Sequence, residues 1–475
     1  RVRRQRQMCI RDRKGSDSLM KRFGRKKEFT TTRIIAVGFF VTIVIGTFLL
    51  MLPLSSKTGK VTGIVDALFT STTSVCVTGL VTVPTYAHWS LFGQVVIALL
   101  AQVGGLGVIT FTTMFMLILR RRIGMKERLL IQDAYNLDTI QGLVVLVKKI
   151  LKGTLVVETL GALLYMTVFI PDYGWKGVWY SVFNAVSAFC NAGMDVIGPD
   201  SLSRYVGNPV VNITTMGLII LGGLGFPVWW NVLDVMKQRK RKRRTRRESL
   251  HYLSLNAKLV LFMTAFLIVV GAILILILEY QNPATLGPLS FFDKIQAAFF
   301  QSVTTRTAGF CTISQSGLNK STALVCCLLM FIGGSPSGTA GGIKTTTIAV
   351  LVLTVVSIIK GRRDTEMFGR RVSDMAVRRA LSIFAVSFSV MLGATVILAA
   401  VQPGNFIDCL YEIVSAIATV GLSRDFTPHL TTVSRLIIIV TMYIGRIGPI
   451  SLALFFNSKR FVNVKTYPKE RVSVG

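Results

Sequence analysis

A fifteen-residue pattern with a glycine near its end occurs four times in this chain and constrains the fold more than any other feature. The segments read DALFTSTTSVCVTGL (66–80), YSVFNAVSAFCNAGM (180–194), QAAFFQSVTTRTAGF (296–310) and DCLYEIVSAIATVGL (408–422). Their glycines, Gly79, Gly193, Gly309 and Gly421, lie 114, 116 and 112 residues apart. Ten positions before each stands an aromatic: Phe69, Phe183, Phe299 and Tyr411. An apolar residue follows each: Leu80, Met194, Phe310 and Leu422. A second landmark comes downstream, as VGGLGVI (103–109), LGGLGFP (221–227), IGGSPSG (332–338) and IGRIGPI (444–450), with glycine second in all four. An internal period of this kind marks one structural unit used repeatedly. Two independent landmarks recurring together predict fourfold pseudo-symmetry.

The medium in which the repeats sit follows from their surroundings. Hydrophobic residues make up 51% of the 475, charged residues 16%, and mean hydropathy is +0.58. Soluble domains carry about 25% charged residues, and disorder requires low hydrophobicity. A soluble enzyme and a disordered chain are both excluded, leaving a polytopic membrane protein. Apolar segments long enough to span lie at 33–53, 91–119, 144–170, 210–236, 257–280, 322–359 (interrupted), 378–401 and 433–456. Between alternate pairs lie shorter segments, 64–80, 178–194, 292–310 and 408–422, too short to cross and suited to re-entry. The expected fold is all-α with eight transmembrane helices, arranged as four span, pore helix, filter, span repeats like a potassium channel. The organisation is a basic tail at 1–28, repeats at 29–120, 144–247, 257–360 and 378–456, and a cytoplasmic tail at 457–475. Residues 1–19, ahead of Met20, read as an assembly or translation artefact.

Lys and Arg number 54 against 22 Asp and Glu. They fall in blocks such as Arg120, Arg121 and Arg122, the run 237–247, and Lys360, Arg362 and Arg363. Basic blocks between apolar spans mark cytoplasmic loops, so both termini are expected inside. Nucleic acid is not expected as a partner, since the runs lack interleaved aromatics. Seven cysteines form no CxxC pair, and three histidines lie far apart. No zinc site, catalytic triad or phosphate loop is expected, and the chain does not read as an enzyme.

A short helix that enters from outside and ends mid-membrane directs its negative dipole end at the membrane centre, which favours a cation. Extended backbone at that depth is tolerated only inside protein or along a water-filled cavity. Four such segments around one axis offer a ring of carbonyl oxygens able to replace a hydration shell. Glycine supplies the dihedrals that turn the carbonyls inward. The expected filter comprises Cys76, Val77, Thr78 and Gly79; Asn191, Ala192 and Gly193; Thr307, Ala308 and Gly309; and Thr419, Val420 and Gly421. A cation is expected at the carbonyls of Val77, Thr78, Asn191, Ala192, Thr307, Ala308, Thr419 and Val420. Arg306 interrupts the pattern and reads as a structural charge, facing the outer vestibule or capping a neighbouring pore helix.

Two deviations from symmetry point to a gate. Gly333, Gly334, Ser335, Pro336, Ser337, Gly338, Thr339, Ala340, Gly341, Gly342, Ile343 and Lys344 hold five glycines and a proline, which no α-helix traverses smoothly. Apolar flanks put this loop at membrane depth, below the third filter segment. Arg446 stands where the other repeats have Gly105, Gly223 and Gly334. A charge in a membrane helix is a functional-site hypothesis by default, and Arg446 is expected to donate hydrogen bonds to loop carbonyls.

These features resemble the Trk/Ktr/HKT superfamily of cation transporters, and within it the membrane subunits of bacterial Ktr potassium-uptake systems. The resemblance rests on the CVTGL and TAGF segments, the broken sixth span and IGRIGP, and covers about residues 29–475. It implies a potassium channel architecture folded from one chain, with selectivity set by the filter glycines. A serine at the first of these goes with sodium preference in some plant relatives; four glycines imply potassium. It further implies a homodimer with one pore per protomer, on a cytosolic octameric ring of nucleotide-binding regulatory subunits. The broken span would act as gate, with Arg446 touching it. No covalent cofactor is implied; potassium is the substrate, and sodium is a candidate activator. The run Lys237–Arg247, with nine basic residues in eleven, departs from the resemblance and suits a solvated cytoplasmic loop, anionic lipids or the ring. The expected setting is a bacterial plasma membrane. The competing function is an ion-coupled secondary symporter driven by sodium or protons. Symporters of that kind use inverted repeats and midplane ionisable residues. Here the repeats share one direction, and the few carboxylates in the spans, Glu158 and Glu412, read as packing or capping groups.

Overall fold

The computed structural model describes residues 31–119, 124–134, 142–242, 252–362 and 364–448. The tail at 1–28 with its suspected artefact, Arg120–Arg122, the basic residues at 243–247, Arg363, the end of the eighth span and the tail at 457–475 lie outside them.

Among the described residues, four helices are long and apolar enough to cross a membrane: α1 (Thr31–Met51), α6 (Leu143–Tyr173), α10 (Leu255–Glu279) and α14 (Asp374–Val401). Each divides its apolar residues between two faces. In α10, Val260, Leu267, Gly271 and Ile275 are buried, while Phe262, Val269, Ile273 and Ile277 are about half exposed or more. An exposed face this apolar belongs in lipid.

The second helices of the repeats are shorter or broken. α3 (Leu91–Leu106) turns into α4 (Val108–Ile118) through 101°, and α8 (Pro209–Gly223) into α9 (Phe226–Lys242) through 99°. Counting each bent pair as one span gives up to six. The segments 91–119 and 210–236, read above as continuous spans, are therefore bent. The cause is local. Gly107 and Gly225 hold φ of +86° and +87°, which breaks the helical hydrogen-bond ladder. Both occupy the fifth place of the VGGLG and LGGLG landmarks. Gly448, fifth in IGRIG, ends α16 (Thr432–Ile447) with φ of +91°. In the third repeat Pro336 takes that place, and the chain between α12 (Lys320–Phe331) and α13 (Thr345–Ile359) forms no helix. A helix α5 (Met125–Ala134) and a small hairpin, β1 (Glu366–Met367) with β2 (Arg370–Arg371), complete the connections.

Four short helices fill the centre: α2 (Ile64–Cys76), α7 (Lys176–Cys190), α11 (Phe291–Thr304) and α15 (Phe406–Ala418). Each packs against the long helix preceding it. The contacts of the following helices are cyclic: α3 meets α7, α8 meets α11, α12 meets α15, and α16 returns to α2. The chain thereby closes on itself.

Candidate ion pathway

The last turn of each short helix leads into a glycine whose carbonyl neighbours converge on one ring. Val77, Asn191, Thr307 and Thr419 adopt left-handed φ of 58°, 60°, 69° and 53°. Gly79, Gly193, Gly309 and Gly421 follow two residues later with φ of 95°, 65°, 82° and 93°. Alternating the sign of φ along a strand turns successive carbonyls to the same side, which normal β backbone does not do. The glycines pack in cyclic order. A methyl group on Gly79 would fall 2.7 Å from the Ala192 carbonyl oxygen, on Gly193 2.5 Å from that of Ala308, and on Gly309 2.6 Å from that of Val420. On Gly421 it would strike the Thr78 carbonyl oxygen, closing the circle. Four short-helix C-termini thus converge with four carbonyl-bearing strands, an arrangement that attracts a desolvated cation. Among the described buried atoms, Thr78 Oγ1, Asn191 Oδ1 and Thr419 Oγ1 have no hydrogen-bond partner. Cys76 is the last residue of helix α2 and lies at the start of this strand.

A set of hydroxyl residues missed in the sequence holds these strands. The amides of Thr78, Ala192, Ala308 and Val420 donate to the carbonyls of Thr73, Ser187, Thr304 and Ser415, at 2.8, 2.7, 3.0 and 2.8 Å. The same four side chains bond onward. Thr73 Oγ1 accepts from the Gly79 amide at 2.9 Å, and Ser415 Oγ from the Gly421 amide at 3.0 Å. Ser187 Oγ donates to the Met194 carbonyl at 2.6 Å, and Thr304 Oγ1 to the Phe310 carbonyl at 2.6 Å. A hydroxyl six places before the glycine in three repeats was the available signal.

In the third repeat that interval, from Thr304, the last residue of α11, to Gly309, is five. The aromatic alignment stated above is corrected accordingly. Phe69, Phe183 and Tyr411 are buried, but Phe299 is 36% exposed and the buried anchor is Phe300. Phe300→Ala should therefore lower stability by about 3–5 kcal/mol through the cavity it leaves. Phe299→Ala should cost less than about 1 kcal/mol, and thermal melting of the two variants in detergent separates them.

The segment below the ring is an irregular loop that crosses it. The Ser335 and Thr339 amides donate to the carbonyls of Gly223 (2.9 Å) and Gly222 (3.1 Å), and Thr339 Oγ1 donates to the Phe189 carbonyl at 3.1 Å. These fix one end to the second repeat. At the other end, Gly341 is pressed so closely on Thr419 of the fourth repeat that a side chain there would collide with its hydroxyl. Lys344 Nζ donates back to the Ala340 carbonyl at 2.7 Å. Arg446 joins three repeats: Nη1 donates to the Thr339 carbonyl at 2.7 Å, and Nη2 to the Gly104 carbonyl. The contact to the first repeat is one the sequence did not disclose. A cavity of about 310 Å³ lies here, lined in part by Leu106, Gly341, Lys344 and Arg446.

Three other charges are held by structure. Arg306 is buried, and its Nη1 donates to the Thr264 carbonyl on α10 at 3.1 Å, so it caps neither a neighbouring pore helix nor the vestibule. Glu412 accepts from the Ser423 and Thr427 hydroxyls at 2.8 and 2.5 Å. Glu158 accepts from Gln102 Nε2 at 3.2 Å.

Long apolar helices around a cyclic, carbonyl-bearing centre define the class: an integral membrane protein built to handle ions. The chain belongs to the TrkH family of cation transport proteins, whose model matches residues 18–463. It is 40% identical over 448 residues to the Ktr system potassium uptake protein B of Bacillus subtilis, covering 94% of this chain and 97% of that one. It is 38% identical over 465 residues to the potassium/sodium uptake protein NtpJ of Enterococcus hirae, covering 96% and 100%. Its fold matches the crystal structure of the potassium transporter TrkH from Vibrio parahaemolyticus with a TM-score of 0.70 at 16% identity, covering 91% of this chain and 86% of that one.

Proposed function

We propose that this chain takes up potassium selectively across a bacterial plasma membrane, through a central pore formed by four pseudo-equivalent repeats. The observation that carries the reading is the ring in which each filter glycine abuts the carbonyl of the next repeat. Carbonyls of Val77 and Thr78 and their counterparts in the other repeats replace the ion's water, and the loop 333–344 gates below them. Eight helical elements, bent or broken in the second helix of each repeat, provide the walls. The potassium uptake proteins among its relatives support the choice of ion. The Ktr system protein among its relatives supports a partner regulatory subunit; the assembly proposed is a homodimer on a cytosolic nucleotide-binding ring, with both termini inside and sodium as activator.

The test is growth at low-millimolar potassium of a bacterial strain lacking its own uptake systems. Rescue is expected from the native chain, with a cognate ring subunit co-expressed where the chain alone is silent. Failure with the ring present, together with no potassium flux in liposomes, overturns the reading. Flux locked to a fixed ratio of sodium or protons replaces it with a symporter.

A further inference from the structure

Helix α9 carries two features at opposite ends that the ion pathway does not use. Its first turn touches the irregular loop. The Phe226 amide donates to the Ser337 carbonyl at 3.1 Å, and Gly225 is pressed against the Pro336 carbonyl so that no side chain fits there. Its last two turns carry Lys237, Arg239 and Arg241, and the sequence stays basic to Arg247. Among the described residues no salt bridge neutralises Lys237, Arg239 or Arg241.

The helix is placed to meet a membrane surface. It leaves α8 at 99° beside the loop, and its far end carries the cluster of cations that the positive-inside rule assigns to the cytoplasmic face. One side is anchored, with Val228, Val232 and Val235 packed around Leu253, Ala257 and Val260. Leu233 and Met236 stay 39% and 53% exposed, within a turn of exposed Lys237. Lys149 lies 5.4 Å from the Trp230 ring, and Trp229 Nε1 donates to the Leu221 carbonyl at 2.9 Å, an interfacial combination of aromatic and cation. Exposed apolar side chains beside cations without a salt bridge fit a lipid surface, where the apolar groups enter the acyl boundary and the cations meet headgroups.

We propose that the basic end of α9 binds anionic phospholipid headgroups of the inner leaflet and that this binding biases the conformation of the loop 333–344. The helix transmits the effect because it is anchored along one side and hydrogen-bonded to the loop at its first residue. The inference rests on the reading of that loop as a gate.

The test uses the full-length chain, native and with Lys237→Gln, Arg239→Gln and Arg241→Gln combined, in nanodiscs of phosphatidylcholine with increasing phosphatidylglycerol. Lipid retained through detergent extraction is counted by native mass spectrometry. Amide hydrogen exchange is followed over residues 333–342, and potassium flux is measured in matched liposomes. In the native chain, phosphatidylglycerol is expected to be retained several-fold over phosphatidylcholine and to shift exchange in the loop and the flux. In the triple variant retention falls several-fold, and exchange and flux no longer depend on phosphatidylglycerol. Equal retention by both chains overturns the surface. Lost retention with unchanged loop exchange overturns the coupling. Unchanged retention with loss of polyglutamate binding in the variant assigns the charge to an acidic protein and also overturns the proposal. A native chain that moves no potassium in any lipid even with its ring subunit present refutes the transport reading, while retention and exchange still decide this one.

Discussion

Replacing Gly79 with serine is expected to collapse discrimination between potassium and sodium by about tenfold or more, while the protein still folds and inserts. The argument is steric and local. Gly79 has φ of +95°, and a side chain there would lie 2.7 Å from the Ala192 carbonyl oxygen. A left-handed conformation costs an L-residue roughly 1–2 kcal/mol, and the collision forces the neighbouring strand outward as well. A shift of 1.4 kcal/mol in the relative binding of two ions is already a factor of ten. The Ala192 carbonyl is one of four in the ring, so moving it widens one quadrant and leaves three in place. The smaller, more tightly hydrated sodium ion gains relative to potassium when the cage loosens. Competitive rubidium and sodium uptake into liposomes measures the effect. Gly421→Ser should be at least as severe, because Gly421 approaches the Thr78 carbonyl more closely than any other glycine of the ring approaches its neighbour. Unaltered selectivity in both variants would remove the glycine ring from the filter.

The same ring explains what could be read from the chain before its structure. Backbone with positive φ leaves few residue choices, so glycines spaced 114, 116 and 112 residues apart are a visible imprint of the strands. The glycine-rich loop announced itself by the same logic, through residues that cannot sustain a helix. Burial was harder to read. Phe299 and Phe300 are adjacent and chemically identical, and the shorter interval between Thr304 and Gly309 hides which of them is the counterpart of Phe69. Hydropathy averages over a window and so is blind to direction. It gave 91–119 and 210–236 as straight segments, although Gly107 and Gly225 stood in plain view at the fifth place of each landmark. Contacts that close the circle between the first and fourth repeats, 342 residues apart in the Arg446 to Gly104 hydrogen bond, have no local signature at all.

Asymmetry confined to the third repeat is the complement of that regularity. In repeats one, two and four, the glycine at the second place of the landmark, Gly104, Gly222 or Gly445, rests on the carbonyl of Val75, Phe189 or Ile417 at the end of its own short helix. Gly333 instead meets Gly341 of the loop. The repeat with the shorter interval between hydroxyl residue and glycine, a buried arginine at 306 and Pro336 in place of a glycine bend is also the one whose second helix is interrupted. Divergence gathered in one quadrant leaves the ring intact and concentrates irregular backbone beside it.

Arg446→Ala should raise the resting flux by roughly ten- to a hundredfold, the largest change expected below the ring. Arg446 donates to the Thr339 carbonyl in the loop and to the Gly104 carbonyl of the neighbouring first repeat. Hydrogen bonds from a charged donor contribute about 1.5–3 kcal/mol each, so losing the loop bond alone shifts a closed to open equilibrium by about one to two powers of ten. On the proposed pathway alanine also removes a positive charge facing the cation, and both effects have the same sign. Arg446→Lys separates them. Lysine keeps the charge but lacks the planar fork that reaches two carbonyls at once, so it should raise flux by less than alanine does. Rubidium uptake at fixed protein density, with and without the regulatory ring, measures all three chains. A variant with alanine at 446 that conducts and responds to regulation like the native chain would show that the arginine only holds helices together. In that case the closed state would have to rest on the bonds from Ser335 and Thr339 to Gly223, Gly222 and Phe189.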